Sequence, residues 1–487
     1  QFSNLAVTGS PSPDYVFHYN YALPAALRKQ PLWHFLNECG NELRTRYPAF
    51  RTRGQFESYR QHLLAGVRRS LGLDPWPPKS PLKARLVGKL DRGSYFIEKV
   101  LFESQPGFKV DALLYVPKHV EFPAPAVLSP AGHWWDDVFY PDVEQGRHIG
   151  LVKNGYVVLV YDPVGQGERA WLGPHNQLRK QIGLAGMDAS GLMFWDSIRA
   201  IDYLCSRSEV DSSKIGVTGV SGGGFNTVHT ALLDPRVKVC APNGYATTIE
   251  ALVKRATYGC CGHTPNLCLY GDHGELYACL APKPTLILGG YTDVVADRVL
   301  PIYARSLAAY RLYGAEGSLS YFLDPDVGHT YSFPERVRMI HFFNKHLRGI
   351  YDPDVAVKAQ AENELLKRES GLLKVFPDGE SKGVAVVELV KSFLQRNQKI
   401  VSPPTTIAEA REFQQRIRED LISHMGDMAP PSPPRVVSDD GVLGYQAVRN
   451  IMLETEREIP VPLQVHWPAQ DTPVRGLVIY LQMSARY

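Results

Sequence analysis

The chain has no excess of charge of either sign, no long apolar run and no paired-cysteine spacing, and each absence removes a class of function. Its 53 Lys and Arg against 50 Asp and Glu leave a formal charge of +3 over 487 residues, with no basic patch of the kind nucleic acid requires. No apolar run approaches the ~18 residues of a membrane span. The seven cysteines are Cys39, Cys205, Cys240, Cys260, Cys261, Cys268 and Cys279, and none forms a CxxC pair, so a zinc site is not expected. Cys205 and Cys240 sit in apolar segments and read as small core residues. Export would permit a disulfide within the 260–279 cluster, and the odd count leaves at least one thiol over.

What is present is the composition of a globular protein, 44% hydrophobic and 21% charged, long enough for two to three domains. The chain opens at Gln1 with twenty polar, turn-rich residues. That reads either as a mature end left by signal-peptide removal or as an arbitrary boundary. The expectation is a secreted or periplasmic protein, and otherwise a cytoplasmic one.

Residues 25–75 read as helical, with one apolar stripe in FESYRQHLLAGVRRSLGL (56–73), ended by Pro75, Pro77, Pro78 and Pro81. YFIEKVLFES (95–104) and VDALLYVP (110–117) read as strands joined at Pro106-Gly107. Short apolar strands then alternate with helices. The strands are AVLSP (126–130), YVVLVYDP (156–163), KIGVTGV (214–220), VKVCAP (237–242), PTLILGG (284–290) and LSYFLDP (319–325). The helices include 192–207, 300–314 and 336–349. Strands apolar on both faces, alternating with helices, predict a doubly wound, mostly parallel α/β sheet.

A long-period repeat follows. AREFQQRIREDLISHMGDMAPPSPP (410–434) echoes 56–78, GYQAVRNIMLETEREIPVPLQVHWP (444–468) echoes 94–117, and RGLVIYL (475–481) echoes 125–130. A repeat at this period means a duplicated domain, not a solenoid. The second copy stops after about its third strand, before any nucleophile. A half-domain would leave strand edges unpaired, so the natural end is expected further on. The expected organisation is a helical segment over 1–90, a catalytic domain over 91–350, a connection over 351–403 and a partial second copy over 404–487.

The chemistry centres on KIGVTGVSGGGFNTVHTALLD (214–234), read as strand, tight turn, helix. Gly219-Val220-Ser221-Gly222-Gly223 fits the GxSxG nucleophile elbow. The glycines let the strand and helix backbones approach closely around a strained serine. The turn sets Ser221 at a helix N-terminus, where negative charge is favoured, and makes the Gly222 N–H the natural first oxyanion donor. A serine hydroxyl needs a base, and the base needs an acid. In this fold the order is Ser, acid, His. Asp293, just past PTLILGG, and His329, just past LSYFLDP, fit it at strand C-terminal ends. Asp297 is the alternative acid, though it should fall inside the next helix. Asp324 and Asp326 read as loop residues. His263 and His273 read as loop residues and His341 as helical. The second oxyanion donor should come from LSPAGHWWDD (128–137), by the backbone of Gly132 and His133. Trp134 and Trp135 are expected as pocket walls, with plain packing as the alternative. Asp162 and Arg169, in YDPVGQGER (161–169), read as braces of a neighbouring loop.

GHWWDD, YDPVGQGER, RAIDYLCSRSEVDSSKIGVTGVSGGG and LYGDHGELYACLAPKPTLILGGYTD, spread over residues 90–350, resemble the acetyl-xylan-esterase-like branch of the α/β-hydrolase superfamily. That resemblance implies hydrolysis of acetyl or other short acyl esters, often on plant polysaccharide. It carries nucleophile, acid and base onto Ser221, Asp293 and His329. It implies no metal and no organic cofactor, and an acyl ester or acetylated carbohydrate as partner. Some relatives carry two hydrolase copies, the second degenerate, which suits the repeat. The rivals are a peptidase of the prolyl-oligopeptidase type, which would need a β-propeller far larger than the ~90 residues ahead of the sheet, and a carbohydrate-binding pseudo-enzyme, against which the Ser-Asp-His order argues.

Overall fold

A computed structural model describes residues 50–134, 137–255, 264–397, 403–425, 433, 435–443, 448–456 and 459–466. The described residues fall into two compact units, 50–397 and 403–466.

In the first unit, helix α1 (Arg53–Ser70) starts where Thr52 Oγ1 accepts the Gln55 N–H, satisfying one of the orphan donors of the first turn. Its buried residues Phe56, Leu63, Gly66 and Val67 lie seven, three and one apart, the stripe that periodicity predicts. The strands follow: β1 (Arg85–Asp91), β2 (Tyr95–Gln105), β3 (Phe108–Pro117), β4 (Ala124–Leu128), β5 (Val157–Tyr161), β6 (Val210–Val220), β7 (Val237–Asn243), β8 (Thr285–Gly290) and β9 (Leu319–Asp324). They form one nine-stranded sheet in the order β1-β2-β3-β5-β4-β6-β7-β8-β9. From β5 to β9 every pair is parallel, while β1, β2, β3 and β5 pair antiparallel.

The helices cover both faces: α2 (Asp142–Lys153), α3 (His175–Gly183), α4 (Ala189–Cys205), α5 (Gly222–Leu233), α6 (Ile249–Arg255), α7 (His273–Ala278), α8 (Val299–Arg311), α9 (Phe333–Phe343), α10 (Val355–Lys358) and α11 (Val386–Asn397). The core shows why the strands read as continuous apolar runs. Along β5, Val157, Leu159 and Tyr161 face the layer holding α1, α4 and α5, while Val158 and Val160 face the layer holding α2 and α9. Side chains alternate across a strand, so both faces must be apolar when both are covered. This is the α/β-hydrolase architecture expected from sequence.

Some elements escaped the sequence reading. β1 is a polar strand at the sheet edge, largely exposed, which protects the edge but carries little apolar signal. Helix α2 is buried on almost every side, including Glu144, Arg147 and His148, so it has no polar face to mark its period. The segment read as a connection over 351–403 instead packs into the first unit. Leu373, Val375 and Phe376 join the core beside α2 and α9, and Val386, Leu389 and Phe393 of α11 pack with α3 and α4. The first segment is likewise no separate body, since Phe56, Leu63 and Val67 belong to the same core as the sheet; residues 25–49 lie outside the described residues.

The second unit contains helix α12 (Ile407–Met425), started by Thr406 Oγ1 accepting the Glu409 N–H. An antiparallel ladder follows, made of β10 (Arg435–Leu443), β11 (Val448–Glu456) and β12 (Ile459–His466). Among the described residues of the first unit, α1 is likewise followed by the antiparallel strands β1, β2 and β3; this likeness does not by itself confirm a duplicated domain. The last echo, 475–481, lies outside the described residues. Among those residues no helix is long and apolar enough to cross a membrane.

Candidate functional site

The sheet order reverses at β4, with β5 on one side and β6 on the other. Crevices at the carboxyl ends of such strands are where open α/β sheets bind ligands, and here those ends carry the loop 129–134 and the turn at Ser221.

Ser221 joins β6 to α5 with φ 58° and ψ −120°. No side chain with a Cβ adopts that backbone without cost, of the order of 1–3 kcal/mol. The surrounding glycines explain how it persists. A Cβ on Gly219 or on Gly223 would collide with the Pro130 carbonyl oxygen, and one on Gly224 with that of Asn243. The Ser221 N–H donates to the Asn243 carbonyl at 3.0 Å, and the Phe225 N–H to the Ser221 carbonyl at 3.0 Å. Gly222 is the first residue of α5, so its N–H belongs to the helix turn whose donors have no intrahelical acceptor.

The strand ends of β8 and β9 bring Asp293 and His329 together. His329 Nδ1 lies 2.9 Å from Asp293 Oδ2. Asp293 is itself anchored, its Oδ1 accepting the N–H groups of Val295 (2.7 Å) and Ala296 (3.2 Å). A Cβ on Gly290 would meet the backbone of Val327 and Gly328, so the two loops press together there. Gly244, after β7, supplies the link to the serine. A Cβ on it would stand 3.1 Å from His329 Cε1 and 3.3 Å from the Ser221 nitrogen. Imidazole and serine backbone therefore border the same small space. Burial, the largest influence on His329, lowers its pKa. The charge of Asp293, its hydrogen bond and the charge of Glu335 together outweigh burial and hold the imidazole above its ordinary value.

Asp297 does not reach this pair. It precedes α8 rather than lying in it, and its carboxylate is 2.8 Å from the Arg298 guanidinium. Asp324 is the last residue of β9 and buried; its carboxylate accepts the Ser332 hydroxyl, bracing the loop that carries His329. His273 is not a loop residue but opens α7, buried with its Nδ1 3.0 Å from Tyr245 Oη; His341 is in α9 as expected. Cys240 and Cys279 are buried free thiols and Cys205 a half-buried one. Burial pushes Cys279 up to about 12. Cys260, Cys261, His263 and Trp135 lie outside the described residues.

The loop after β4 corrects one expectation. The Gly132 N–H is committed to the Glu144 carboxylate, donating to Oε1 at 3.2 Å, and so cannot point at a substrate oxygen. The remaining member of the expected pair is His133. The Trp134 N–H donates to the Gln166 amide oxygen at 2.9 Å. Its indole Nε1–H donates to Glu144 Oε1 at 2.9 Å, so the ring is held by a hydrogen bond as well as by packing. A Cβ on Gly132 would stand 3.1 Å from the carbonyl oxygen of Val220, which places the loop directly against the elbow. His133 Nε2 is 3.2 Å from His175 Nδ1, and His175 Nε2 meets the Val164 carbonyl. A carbonyl only accepts, so His175 carries its proton on Nε2 and takes that of His133 on Nδ1.

The neighbouring glycine-rich loop acts as a brace. Arg169 Nη1 donates to the Asp162 carbonyl at 2.9 Å and to Asp196 Oδ2 at 2.8 Å. Gln166, which the sequence reading did not single out, holds the loop after β4 by accepting the Trp134 N–H. Glu144 was missed for the same reason as α2. A separate groove of about 890 Å³ runs along β9, bordered by Tyr321, Arg338, His341 and Tyr351, and is lined by none of Ser221, Asp293 and His329.

Residues 91–246, from the end of β1 through the elbow, match the family model of acetyl xylan esterase (AXE1). The chain is 30% identical over 237 residues to a Bacillus subtilis (strain 168) protein named as a hydrolase, YtaP, spanning 46% of this chain and 78% of that one. Among solved structures it resembles methylesterase BT1017, with a TM-score of 0.54 at 20% identity, covering 80% of this chain and 81% of the other. That likeness speaks for the fold, and the sequence relationship for descent. The chain belongs to the acetyl xylan esterase (AXE1) family of α/β-hydrolases and is a carboxylic-ester hydrolase.

Proposed function

We propose that the chain removes acetyl or other short acyl groups from a carbohydrate through an acyl-enzyme on Ser221, with His329 as base and Asp293 as its acid. One observation carries this reading: the 2.9 Å Asp293–His329 contact sits beside the same glycine as the Ser221 backbone. The Nδ1–H donates to the carboxylate, which leaves the Nε2 lone pair to take the serine proton. Ser221 Oγ attacks the ester carbonyl. His329 then passes the proton to the leaving alcohol, and water cleaves the acyl-enzyme with His329 again as base. The helix-start N–H of Gly222 and the backbone of His133 stabilise the oxyanion, and Trp134 forms a wall of the substrate cleft. The acetyl and carbohydrate preference rests on the family and on this one aromatic wall.

The test is a hydrolysis panel of p-nitrophenyl acetate, longer acyl esters, acetylated xylan and methyl uronates, run with wild type and Ser221→Ala. Release of p-nitrophenol should vanish in the variant; undiminished turnover would sink the assignment. Cleavage of a proline-directed peptide at rates equal to the best ester would favour a peptidase instead.

A further inference from the structure

Glu144 is fully buried in α2, yet its carboxylate is aimed at the loop beside the elbow. Oε1 receives two donors from that loop, Gly132 N–H at 3.2 Å and Trp134 Nε1–H at 2.9 Å. Oε2 receives the Arg147 guanidinium. A buried carboxylate is expensive unless paired and hydrogen-bonded, and here three donors converge on it. Arg147, buried as completely, reaches further. Its Nε–H donates to Ser129 Oγ at 2.9 Å, at the start of the same loop. Its guanidinium lies 5.1 Å from the ring centre of Tyr331, two residues after His329. Tyr331 in turn places its hydroxyl 2.8 Å from Thr218 Oγ1, three residues before Ser221 in β6. Thr218 donates to the Ala241 carbonyl at 2.6 Å, so it accepts from Tyr331. One buried ion pair thus touches the loop of the expected oxyanion donor and the loop of the base, and through Tyr331 it is connected to the strand of the nucleophile.

Packing alone does not account for this. An apolar side chain would fill the space under the loop, and swapping a buried ion pair for well-packed apolar groups is often neutral or stabilising. What an apolar residue cannot do is take the Gly132 N–H inward and fix the indole ring by its nitrogen. With the Gly132 N–H turned in towards Glu144, the following peptide is set relative to the elbow, against which Gly132 already rests.

We propose that Glu144, oriented by Arg147, is a positioning residue of the esterase: it sets the 130–134 loop so that its backbone meets the developing oxyanion and the Trp134 ring stands as a fixed wall. The proposal rests on the reading of Ser221 as nucleophile. Removing a single donor from such a site costs about 10²–10³ in kcat, and here a donor would be displaced rather than removed.

The experiment uses the full chain with Glu144→Gln and Trp134→Phe. In Glu144→Gln one end of the amide still accepts, but its NH₂ must face either Arg147 or the loop donors, and donors do not pair with donors. Trp134→Phe removes the indole N–H that reaches Glu144, together with part of the ring's bulk. Steady-state hydrolysis of p-nitrophenyl acetate is measured per site titrated with an organophosphate, beside urea unfolding. The expected result is a 10- to 100-fold fall in kcat for Glu144→Gln, in line with about 10² per ångström of misplacement, with KM within about twofold. Trp134→Phe should show the same split at a smaller size. The double variant should fall little below Glu144→Gln, because both act through one contact. Unchanged kcat per titrated site in both variants, whatever their stability, would overturn the proposal. If Glu144→Gln yields no folded protein, Trp134→Phe decides alone. Failure of the organophosphate to label Ser221 in wild type would instead overturn the nucleophile, a distinct outcome.

Discussion

Gly244→Ala offers a sharp test, because one methyl group would enter the space shared by base and nucleophile. Gly244 has φ +64°, and a left-handed conformation costs an alanine roughly 1–2 kcal/mol. The added Cβ would stand 3.1 Å from His329 Cε1 and 3.3 Å from the Ser221 nitrogen. Ordinary carbon contacts lie near 3.5–4.0 Å, so the ring must retreat by about half an ångström. Cε1 lies between the two ring nitrogens. Moving it therefore disturbs both the Nδ1 contact to Asp293 and the reach of Nε2 towards Ser221. With ~10² lost per ångström, the expected fall in kcat/KM is about tenfold, or ~1.4 kcal/mol of activation free energy. Stability should fall by about 1–2 kcal/mol from the backbone alone. The assay is p-nitrophenyl acetate hydrolysis per titrated site, together with urea unfolding. A variant destabilised by this amount that keeps wild-type kcat/KM would refute the argument, since the methyl would then not be pressing on the catalytic base.

Two further outcomes follow from the same geometry. In Asp293→Asn the charge that raises the His329 pKa is gone, so the acid limb of the kcat/KM profile should move to lower pH while the plateau falls by up to about 10⁴. The stability sign is opposite to that of an acid whose pKa is lowered in the folded state. A histidine raised in the folded state stabilises below its unfolded pKa and loses that contribution as pH rises through the folded one. The substitution should therefore destabilise more at pH 5 than at pH 9, and an acid limb that stays in place would count against the pair. Leu63→Ala, in α1, should cost about 2–5 kcal/mol in unfolding of the catalytic unit, because Leu63 is fully buried in the sheet core; an unchanged unfolding midpoint would mean that the first segment is separate after all.

Legibility followed the range of the interactions. The strands between Tyr95 and Asp324 and the elbow at Ser221 were readable, because apolar periodicity and glycine spacing are local consequences of backbone geometry. Asp293 and His329 were readable from their strand-end placement and chain order. What went unread was set by contacts distant in sequence. β1 is an edge strand without an apolar pattern. The segment after 350 looks like a linker until Leu373 and Phe393 are seen in the core. Gly132 was assigned an outward N–H because nothing in GHWWDD shows that a carboxylate twelve residues later claims it.

The sequence by itself determined the fold class, the turn that strains Ser221, and the strand-end placement of Asp293 and His329. These depend on which residues lack a Cβ, which faces are apolar and which strand end comes next, all properties of neighbouring residues. Only the tertiary structure decided which N–H groups in the loop after β4 are already spent, that Gly244 lies against both His329 and Ser221, and that Glu144 and Arg147 join the loop after β4 to the loop of His329. A buried charge can be tolerated only where donors from several elements converge on it, and that convergence exists only once the sheet has ordered its strands.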